Sequence, residues 1–321
     1  MQMQFLGTSA GVPTRNRHVS ALALQPEKGR RWYLIDCGEG TQYQLMQTPL
    51  SAARLEAVLI THIHGDHCYG LPGLLASASM GGRRTPLTVI GPKAVRAYLD
   101  AVRVTTGLHL GFELVHVDAA TLTTPLVLAD VSVCATPLSH GVECYAYAFE
   151  ERGIEARLDV ERLRSAGVPS GPLWGQLYRG ENVLDDQGRW WRGDDFRLPG
   201  RVPRRIVVAG DNNTPSCLRP LCQDVDVLVH EATYTEAAID HLGTDNGHSS
   251  AARIAAFAAD VALPHLVLTH FSPRYVNHPH APVSIADIER EARAHYGGYL
   301  ALAEDLARYQ LSREKCLVRT D

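Results

Sequence analysis

The fold of this chain is decided by the stretch Val58-Leu59-Ile60-Thr61-His62-Ile63-His64-Gly65-Asp66-His67. The stretch begins as a short apolar, β-branched run and ends in four side chains of the kinds that bind metal ions. Apolar residues at positions 57–60 predict a buried strand, so the polar cluster follows the carboxyl end of that strand. Because open α/β sheets carry their sites at those ends, the stretch predicts an α/β protein with its site there.

The four ligand-type side chains are spaced to share one side of the chain. An extended backbone past the strand directs His62 and His64 to the same side. Gly65 permits a sharp turn, which returns Asp66 and His67 to that side. Two imidazoles followed by an Asp-His pair suit two adjacent metals of the zinc or manganese type better than one closed structural site. The order of ligand types disfavours the alternative of a polar loop that carries histidines by chance.

Composition excludes several classes of protein. The chain has 321 residues, 45% hydrophobic and 21% charged, which is enough for a large α/β core. We find no apolar run of membrane-spanning length and no basic-then-apolar leader, so we expect a cytoplasmic protein without membrane contact. The seven cysteines are scattered and form no Cys-x-x-Cys pair, which is typical of a reducing compartment. The net charge of −4 does not by itself indicate a polyanion binder.

More metal-type ligands follow other predicted strands. A scaffold that delivers ligands from many strand ends to one rim is a layered sheet. Asp211 is the natural carboxylate bridge between two ions that lie about 3.5–4 Å apart. The later ligand candidates are His140 after residues 131–136, Asp211 at the end of 205–211, Glu231 after 225–230 and His270 after 266–269. We expect one metal to bind His62, His64 and His140, and the other to bind Asp66, His67 and His270.

We expect three residues to carry the acid–base chemistry: Asp66, His248 and Glu231. Asp66 positions the attacking hydroxide while it also binds metal. His248, backed by Glu231, protonates the leaving oxygen, because imidazole titrates near neutral pH.

Asp36 precedes a predicted helix near residues 41–48, so its default interpretation is a helix cap. The alternative is that Asp36 orients a metal-bound histidine.

Residues 150–205 differ from their surroundings in composition. The segment is dense in charge, rich in glycine and proline, and carries three of the four tryptophans. One interpretation is a hairpin or surface insertion whose tryptophans pack on the body. The other is a protruding arm that docks a large substrate, with arginine for phosphate and aromatic rings for stacking. Composition alone favours the first interpretation.

The chain resembles the metallo-β-lactamase superfamily and, within it, the short bacterial form of the tRNA 3′-processing endoribonuclease (ribonuclease Z) family. The His-x-His-x-Asp-His motif carries the resemblance to the superfamily, and the opening loop with His-Glu-Ala-Thr carries the more specific one. The matching segments are Phe5 to Thr14, Ile35 to Gln42, Thr61 to His67, Leu138 to His140, Gly210-Asp211, His230 to Thr233, Gly247 to Ser250 and Leu268 to Ser272.

The resemblance implies a four-layered αβ/βα sandwich, a single domain over residues 1–321 with a protruding arm inserted at about 150–204. It implies two Zn²⁺ ions per chain, and the same ligands accept Mn²⁺ or Co²⁺. It also implies a homodimer in which each arm serves the partner's site, and cleavage of precursor tRNA after the discriminator base that leaves a 3′-hydroxyl. Asp66 becomes the proton acceptor, and His248 and Glu231 assist the leaving group. The substrate contacts that we expect are Arg17, Gly171, Pro172, Trp174 and Arg179.

Three positions depart from the family pattern. Arg17-His18 replaces Arg-Asn, Gly175-Gln176-Leu177-Tyr178 replaces Gly-Lys-Leu-Lys in the arm, and Gly210-Asp211-Asn212 replaces Gly-Asp-Thr. The metal ligands are unaffected, but the grip on tRNA is altered, since two lysines are lost. The alternatives are a 3′-exoribonuclease on the same site, a small-molecule hydrolase such as a phosphodiesterase or arylsulfatase-like enzyme, and a non-catalytic RNA-binding protein with a relict site.

Overall fold

Runs of apolar residues form the strands of this chain. The computed structural model describes residues 1–27, 29–122, 124–242, 247–278 and 281–321. The strands are β1 Gln2–Gly7, β2 Ala21–Gln25, β3 Trp32–Ile35, β4 Leu55–Leu59, β5 Leu87–Gly91, β6 Leu114–Asp118, β7 Leu126–Val127, β8 Val131–Pro137, β9 Tyr145–Glu151, β10 Arg157–Leu158, β11 Val183–Leu184, β12 Trp190–Trp191, β13 Arg197–Leu198, β14 Arg205–Ala209, β15 Val227–Glu231, β16 His265–Thr269, β17 Tyr299–Leu302, β18 Arg308–Leu311 and β19 Leu317–Arg319.

The helices connect these strands. They are α1 Thr41–Leu45, α2 Gly65–Cys68, α3 Leu71–Met80, α4 Lys93–Thr106, α5 Val160–Ser165, α6 Pro172–Tyr178, α7 Glu236–Leu242, α8 Ala251–Asp260 and α9 Ile285–His295, with short 3₁₀ turns at Ala52–Arg54, Ala119–Thr121, Gly193–Phe196 and Pro215–Leu218. Within the described ranges, no helix is long and apolar enough to cross a membrane.

Two large sheets carry the first of two compact units, which comprises Met1–Glu150 and Arg204–Asp321. One sheet has the order β19-β18-β1-β2-β3-β4-β5-β6, and the other has the order β17-β16-β15-β14-β9-β8-β7. Strands β3 to β6 run parallel, as do β14 to β17. Each parallel series therefore places its carboxyl ends at one edge of its sheet, where sites are built.

The sheets lie face to face between two helical layers. Apolar residues from both sheets, such as Phe5 and Leu59 of one and Val208 and Val229 of the other, form one buried cluster between them. A second cluster joins the outer face of the first sheet to α3 and α4. A third joins the outer face of the second sheet to α8 and α9. The order helix, sheet, sheet, helix is the expected αβ/βα sandwich of four layers.

The second unit, Glu151–Pro203, has an apolar cluster of its own. Leu163, Leu177 and Phe196 are buried in it, and Trp174 and Trp191 pack against it. Trp174 and Trp191 therefore stabilise the unit itself. In the two-stranded β11–β12 ladder, Val183 pairs with Trp191 and Leu184 pairs with Trp190. Because side chains alternate between faces, the Val183–Trp191 pair faces the cluster, whereas Leu184 and Trp190 are exposed.

Candidate active site

The first motif lies directly after β4, as the sequence predicted. His64 has an extended backbone and precedes α2, so Asp66 and His67 lie in the first turn of that helix. The φ of Gly65 is not positive, so this glycine does not supply a left-handed turn. A Cβ atom there would lie 2.1 Å from Cε2 of Tyr69, so a larger residue would displace that exposed ring.

Three histidines form one group of nitrogen atoms. Nε2 of His62 lies 3.1 Å from Nδ1 of His64, and Nε2 of His140 lies 3.2 Å from the same Nδ1 atom. His140 follows β8 and reaches this group from the second sheet. These are the three histidines that the sequence assigned to one metal.

Asp66, His67 and His270 form a second group. Nε2 of His67 lies 3.2 Å from Nε2 of His270, and Oδ2 of Asp66 lies 3.2 Å from Nε2 of His270. Oδ2 of Asp66 is also 3.4 Å from Nε2 of His67. His270 follows β16, so this group also joins residues from both sheets.

Asp211 lies between the two groups. Its Oδ2 atom is 3.6 Å from Nε2 of His62 and 3.9 Å from Nε2 of His140. Its Oδ1 atom is 3.4 Å from Nε2 of His67 and 3.4 Å from Nε2 of His270. Each carboxylate oxygen thus faces one group, which is the geometry of a bridging ligand.

The donor atoms fit metal ions in number, type and spacing. Ligand atoms of a tetrahedral zinc ion with bonds of about 2.0–2.1 Å lie about 3.3 Å apart, and the separations above are close to that value. Burial lowers the pKa of His62 well below its ordinary value, so this imidazole is neutral. Burial also raises the pKa of Asp211, but the charges of His270 and His67 outweigh it and lower this pKa well below the ordinary range. Neutral imidazole and ionised carboxylate are the forms that bind metals.

The outer nitrogen atoms of these histidines are occupied by acceptors. Nδ1 of His67 donates to Oδ2 of Asp36 at 2.7 Å. Thr61 donates its hydroxyl to the same carboxylate and is 3.0 Å from Nδ1 of His62. Nδ1 of His140 donates to the carbonyl of Gly247 at 2.8 Å. With these protons outside, the Nε2 lone pairs of the three histidines point inward, where a cation satisfies them.

The charge around His67 also favours a cation in the site. Burial lowers the pKa of His67, but the carboxylates of Asp211, Asp36 and Asp66 outweigh it and raise this pKa well above its ordinary value. All three carboxylates are largely enclosed, so their negative charge requires a positive partner in the site. The cluster therefore fits metal binding.

The default interpretation of Asp36 as a helix cap is wrong. The cap position of α1 is Gly40, and no side chain caps that helix. Asp36 instead accepts from the backbone N–H of Thr61 at 2.7 Å as well as from His67. The φ of Asp36 is 59°, in the left-handed region that non-glycine residues rarely adopt. This conformation turns the carboxylate away from α1 and toward the histidines.

His270 shows the same unusual backbone, with a φ of 57°. Its Nδ1 atom lies 3.0 Å from the hydroxyl of Thr233, which donates to Glu231. The following residue, Phe271, forms backbone hydrogen bonds with Thr8 and Ala10 of the opening loop. Strained residues persist where surrounding structure over-determines them, and they cluster at functional sites.

His248 and Glu231 form a pair beside the two groups. Nδ1 of His248 lies 3.0 Å from Oε2 of Glu231 and 3.7 Å from Oδ2 of Asp211. Burial lowers the pKa of His248, but the charge of Glu231 and its hydrogen bond outweigh burial and raise the pKa to about 9. His248 together with Asp211 and His270 also has donor atoms close enough for a metal. The hydrogen bond to Glu231 occupies Nδ1, so the proton-donor role fits this histidine better.

An open cleft of about 560 Å³ borders the first histidine group. Its lining is polar, so it suits a charged substrate better than an apolar one. The cleft is lined by His64, Ser139, His140, Gly141, Asn213, Gly247 and His248.

Arg17 does not occupy a substrate-facing position. It is buried, and its guanidinium donates to the carbonyls of Tyr275 at 2.6 Å and Ser272 at 3.3 Å and to Oδ1 of Asn277 at 2.6 Å. An enclosed arginine with internal partners cannot reach a phosphate. This placement disagrees with the expected substrate contact. Arg17 instead connects the opening loop to the segment after β16 through hydrogen bonds.

The other expected substrate contacts lie in the second unit. Gly171 has a φ of 146° and precedes α6, and Pro172 is the first residue of that helix, where proline is favoured. Trp174 is half-buried and donates its Nε1–H to the carbonyl of Val168 at 3.4 Å. Arg179 is exposed and pairs with the carboxylate of Glu181 at 2.6 Å. Of these residues, Arg179 presents a charged group to solvent.

Sequence reasoning did not identify several residues of the site. Thr61 and Thr233 are adjacent to ligand motifs, and their position beside His62 and near His270 was the available signal. The backbone N–H of Gly11 donates to Oδ2 of Asp66 at 2.7 Å. This hydrogen bond could not be predicted from the sequence, because the two residues are 55 positions apart.

Comparison with known proteins shows which fold the chain has. A family model described as Anti-Pycsar protein Apyc1 matches residues 1–109, about a third of the chain. The metallo-beta-lactamase fold protein YhfI from Bacillus subtilis superposes with a TM-score of 0.66 over 96% of this chain and 98% of its own, at 17% identity. This likeness shows that the chain has the metallo-β-lactamase fold, and the histidine and aspartate cluster of the chain fits a metal site.

More similar proteins identify the family. The ribonuclease Z of Pseudomonas putida strain GB-1 is 48% identical over 317 residues, which covers 99% of each chain. The crystal structure of human tRNase Z, short form, superposes with a TM-score of 0.66 at 26% identity over 97% of this chain and 100% of its own. The chain belongs to the ribonuclease Z family, and it is a metal-dependent endoribonuclease.

Proposed function

We propose that this enzyme removes 3′ trailers from precursor tRNA by one endonucleolytic cut after the discriminator base. The cut leaves a 3′-hydroxyl on the tRNA and uses two Zn²⁺ ions per chain. The observation that carries the proposal is the position of Asp211, whose two oxygens face two separate groups of ligands. The names of its relatives, ribonuclease Z and tRNase Z, support tRNA as the substrate.

Two sets of side chains hold the ions in this proposal. When bound, the ions polarise the scissile phosphate and lower the pKa of the attacking water. Asp211 is shared between the ions, and Mn²⁺ or Co²⁺ can replace zinc because the same donors accept them. The remaining ligands are His62, His64 and His140 for one ion and Asp66, His67 and His270 for the other.

Asp66 accepts the proton of the attacking water. Its Oδ2 atom receives a hydrogen bond of 2.7 Å from the backbone N–H of Gly11, so the carboxylate is held in one orientation. Burial raises the pKa of Asp66, but the charge and hydrogen bond of His67 with that of His270 lower it below its ordinary range. The carboxylate is therefore ionised at neutral pH, which is the form that binds metal.

His248 donates a proton to the leaving group. Water attacks phosphorus and the bond from phosphorus to the 3′-oxygen breaks, so the trailer keeps a 5′-phosphate. The 3′-oxygen of the tRNA takes the proton from His248 as its charge develops. Glu231 holds the imidazole through Nδ1, and with a pKa of about 9 the ring is protonated at neutral pH.

We assign the docking of tRNA to the unit Glu151–Pro203, as an arm inserted into a single catalytic domain. Its internal cluster supports α6, which begins at Gly171-Pro172 and ends next to Arg179. The exposed guanidinium of Arg179 is suited to phosphate and the exposed ring of Trp190 to a base. The loss of two lysines from α6 leaves arginine to carry the charge of this surface.

The proposed assembly is a homodimer in which each arm serves the partner's site. The exposed apolar side chains of Tyr43 on α1, Met46 directly after α1, and Tyr69 and Met80 near α3 support a second copy as the partner. Sedimentation velocity of the whole chain tests this: Met46→Glu is expected to give monomers, and a monomeric unsubstituted protein would refute the assembly. The proposed compartment is the cytoplasm, because all seven cysteines are free thiols.

The proposed reaction is tested with a 3′-extended precursor tRNA and the zinc-loaded protein, with products resolved to single nucleotides. We expect one discrete cut after the discriminator base, which disappears in His64→Ala. A ladder of shortened 3′ ends would identify an exoribonuclease. Hydrolysis of bis(p-nitrophenyl) phosphate without cleavage of tRNA would identify a small-molecule hydrolase.

A further inference from the structure

Asn212 follows Asp211 and is fully buried. We propose that Asn212 is a positioning residue that fixes the segments of His140, Glu231 and His248 relative to Asp211, a role that rests on the proposed cleavage at this site. The family pattern has threonine at this position, so the asparagine is a feature of this chain that the metal chemistry does not explain.

The side chain of Asn212 joins three segments. Its Oδ1 atom accepts from the backbone N–H of Ser139 at 3.3 Å and from that of Thr214 at 3.2 Å. Its Nδ2 atom lies 3.1 Å from Nε2 of His230. Ser139 immediately precedes His140, so the amide holds the segment that presents this proposed ligand.

The direction of the bond to His230 follows from its other nitrogen. Nδ1 of His230 lies 2.7 Å from the carbonyl of Glu231 and donates to it, so Nε2 accepts. Asn212 therefore donates through Nδ2 while it accepts through Oδ1. A threonine hydroxyl would have to make these bonds from a single oxygen atom, whereas the amide of asparagine offers a separate donor and acceptor.

The backbone of Asn212 adds two links to the proton donor. Its N–H donates to Oε1 of Glu231 at 2.7 Å, and its carbonyl accepts from the hydroxyl of Ser249 at 2.6 Å. Ser249 immediately follows His248. The turn after β14 thus binds Glu231 directly, the segment of His248 through Ser249 and, through the side chain of Asn212, the segment of His140. If Asn212 lost its amide, the buried Nε2 atom of His230 would lose its donor, and the backbone N–H groups of Ser139 and Thr214 would lose their acceptor.

The central test is Asn212→Leu, which keeps the branched shape and the number of heavy atoms and removes both polar atoms. Removing a residue that orients ligands typically costs about 10–100-fold in metal affinity or activity. We expect Asn212→Leu to weaken zinc binding by about that factor in competition with a chromophoric chelator. At saturating zinc, kcat for precursor tRNA and for bis(p-nitrophenyl) phosphate should fall about 10–100-fold, with each KM changed less than about twofold.

A matched pair at His230 separates positioning from general stability. His230→Gln retains an acceptor for Asn212 and a donor for Glu231, whereas His230→Leu retains neither. We expect the Gln variant to keep kcat within about threefold and the Leu variant to lose about tenfold or more. Equal kcat in the two variants, or a lower melting temperature in Asn212→Leu with unchanged zinc affinity and kcat, would overturn the proposal. The His230 pair decides the question if Asn212→Leu does not fold.

If the proposed function were wrong, the measurements would differ from those expected if the role of Asn212 were wrong. If the unsubstituted protein hydrolysed the small phosphodiester but not tRNA, the substrate assignment would fail, and the small ester would still test Asn212. Zinc affinity gives a third readout that does not depend on turnover.

Discussion

Nδ1 of His67 lies 2.7 Å from Oδ2 of Asp36, and both side chains are buried. The carboxylate also binds Thr61, so it fixes the orientation of two neighbouring parts of the proposed metal centre. Partners of this kind set the tautomer of a ligating histidine and raise its basicity.

Asp36→Asn is therefore expected to lower zinc affinity by about 10–100-fold, because the amide cannot replace the charge beside His67. Zinc retained during competition with a chelator gives the measurement. Asp100→Asn on the exposed face of α4 is the matched control and should retain the zinc of the unsubstituted protein. Equal zinc affinity in the two variants would exclude Asp36 from the metal centre.

Glu231→Gln tests the proton donor through the pH dependence of kcat/KM. Glu231 raises the pKa of His248 to about 9 against the effect of burial. A proton donor is active below its pKa, so activity falls as the pH rises through that value. Removing the charge lowers the pKa, and the alkaline limb is expected to move to lower pH. The exposed variant Glu289→Gln on α9 should leave the profile in place. An alkaline limb that does not move in Glu231→Gln would contradict the role of His248.

Arg179 is expected to contact a phosphate of the tRNA. In a His64→Ala background, which prevents cleavage, Arg179→Gln should weaken tRNA binding and reduce the salt slope of log Kd by about one. Glu181→Gln should strengthen tRNA binding and increase the salt slope, because it releases the guanidinium of Arg179 from its ion pair. Binding measured over a range of salt concentrations checks both variants. A salt slope that is the same in all three proteins would remove Arg179 from the interface.

Arg17 is expected to contribute to stability and not to substrate binding. Loss of its enclosed hydrogen bonds in Arg17→Leu should lower the free energy of unfolding by about 2–4 kcal/mol. The KM for precursor tRNA should change little in the protein that remains folded. Urea unfolding gives the first quantity, and Arg15→Leu in the exposed part of the same loop is the control. Unchanged stability with a raised KM would restore the substrate contact.

Much of the fold could be predicted because its strands are short, apolar and followed by polar ligands. The strand expected at 57–60 is Leu55–Leu59. The ligands that come from one sheet could be predicted for the same reason, since parallel strands of a sheet deliver their ends to one edge. His62 follows β4 of the first sheet and Asp211 follows β14 of the second, so these two residues meet because the two sheets lie face to face.

Other features depend on backbone geometry that residue types do not specify. The role of Asp36 rests on a left-handed φ that turns it from α1 toward His67. The enclosure of Arg17 depends on carbonyls more than 250 residues away. The several bonds of Asn212 arise only after three loops meet at one point. Pattern reasoning identifies side chains that bind metals, and it does not show which polar neighbours hold them.

The most direct test is a zinc titration of the metal-free protein, with cleavage of a 3′-extended precursor tRNA followed at each step. Because Asp211 faces both ligand groups, we predict that cleavage rises as the second equivalent of zinc per chain binds, with one discrete product. His64→Ala and His270→Ala should each bind about one equivalent fewer and remain inactive. Full cleavage with a single equivalent of zinc, or cleavage that does not depend on metal, would contradict the two-ion centre.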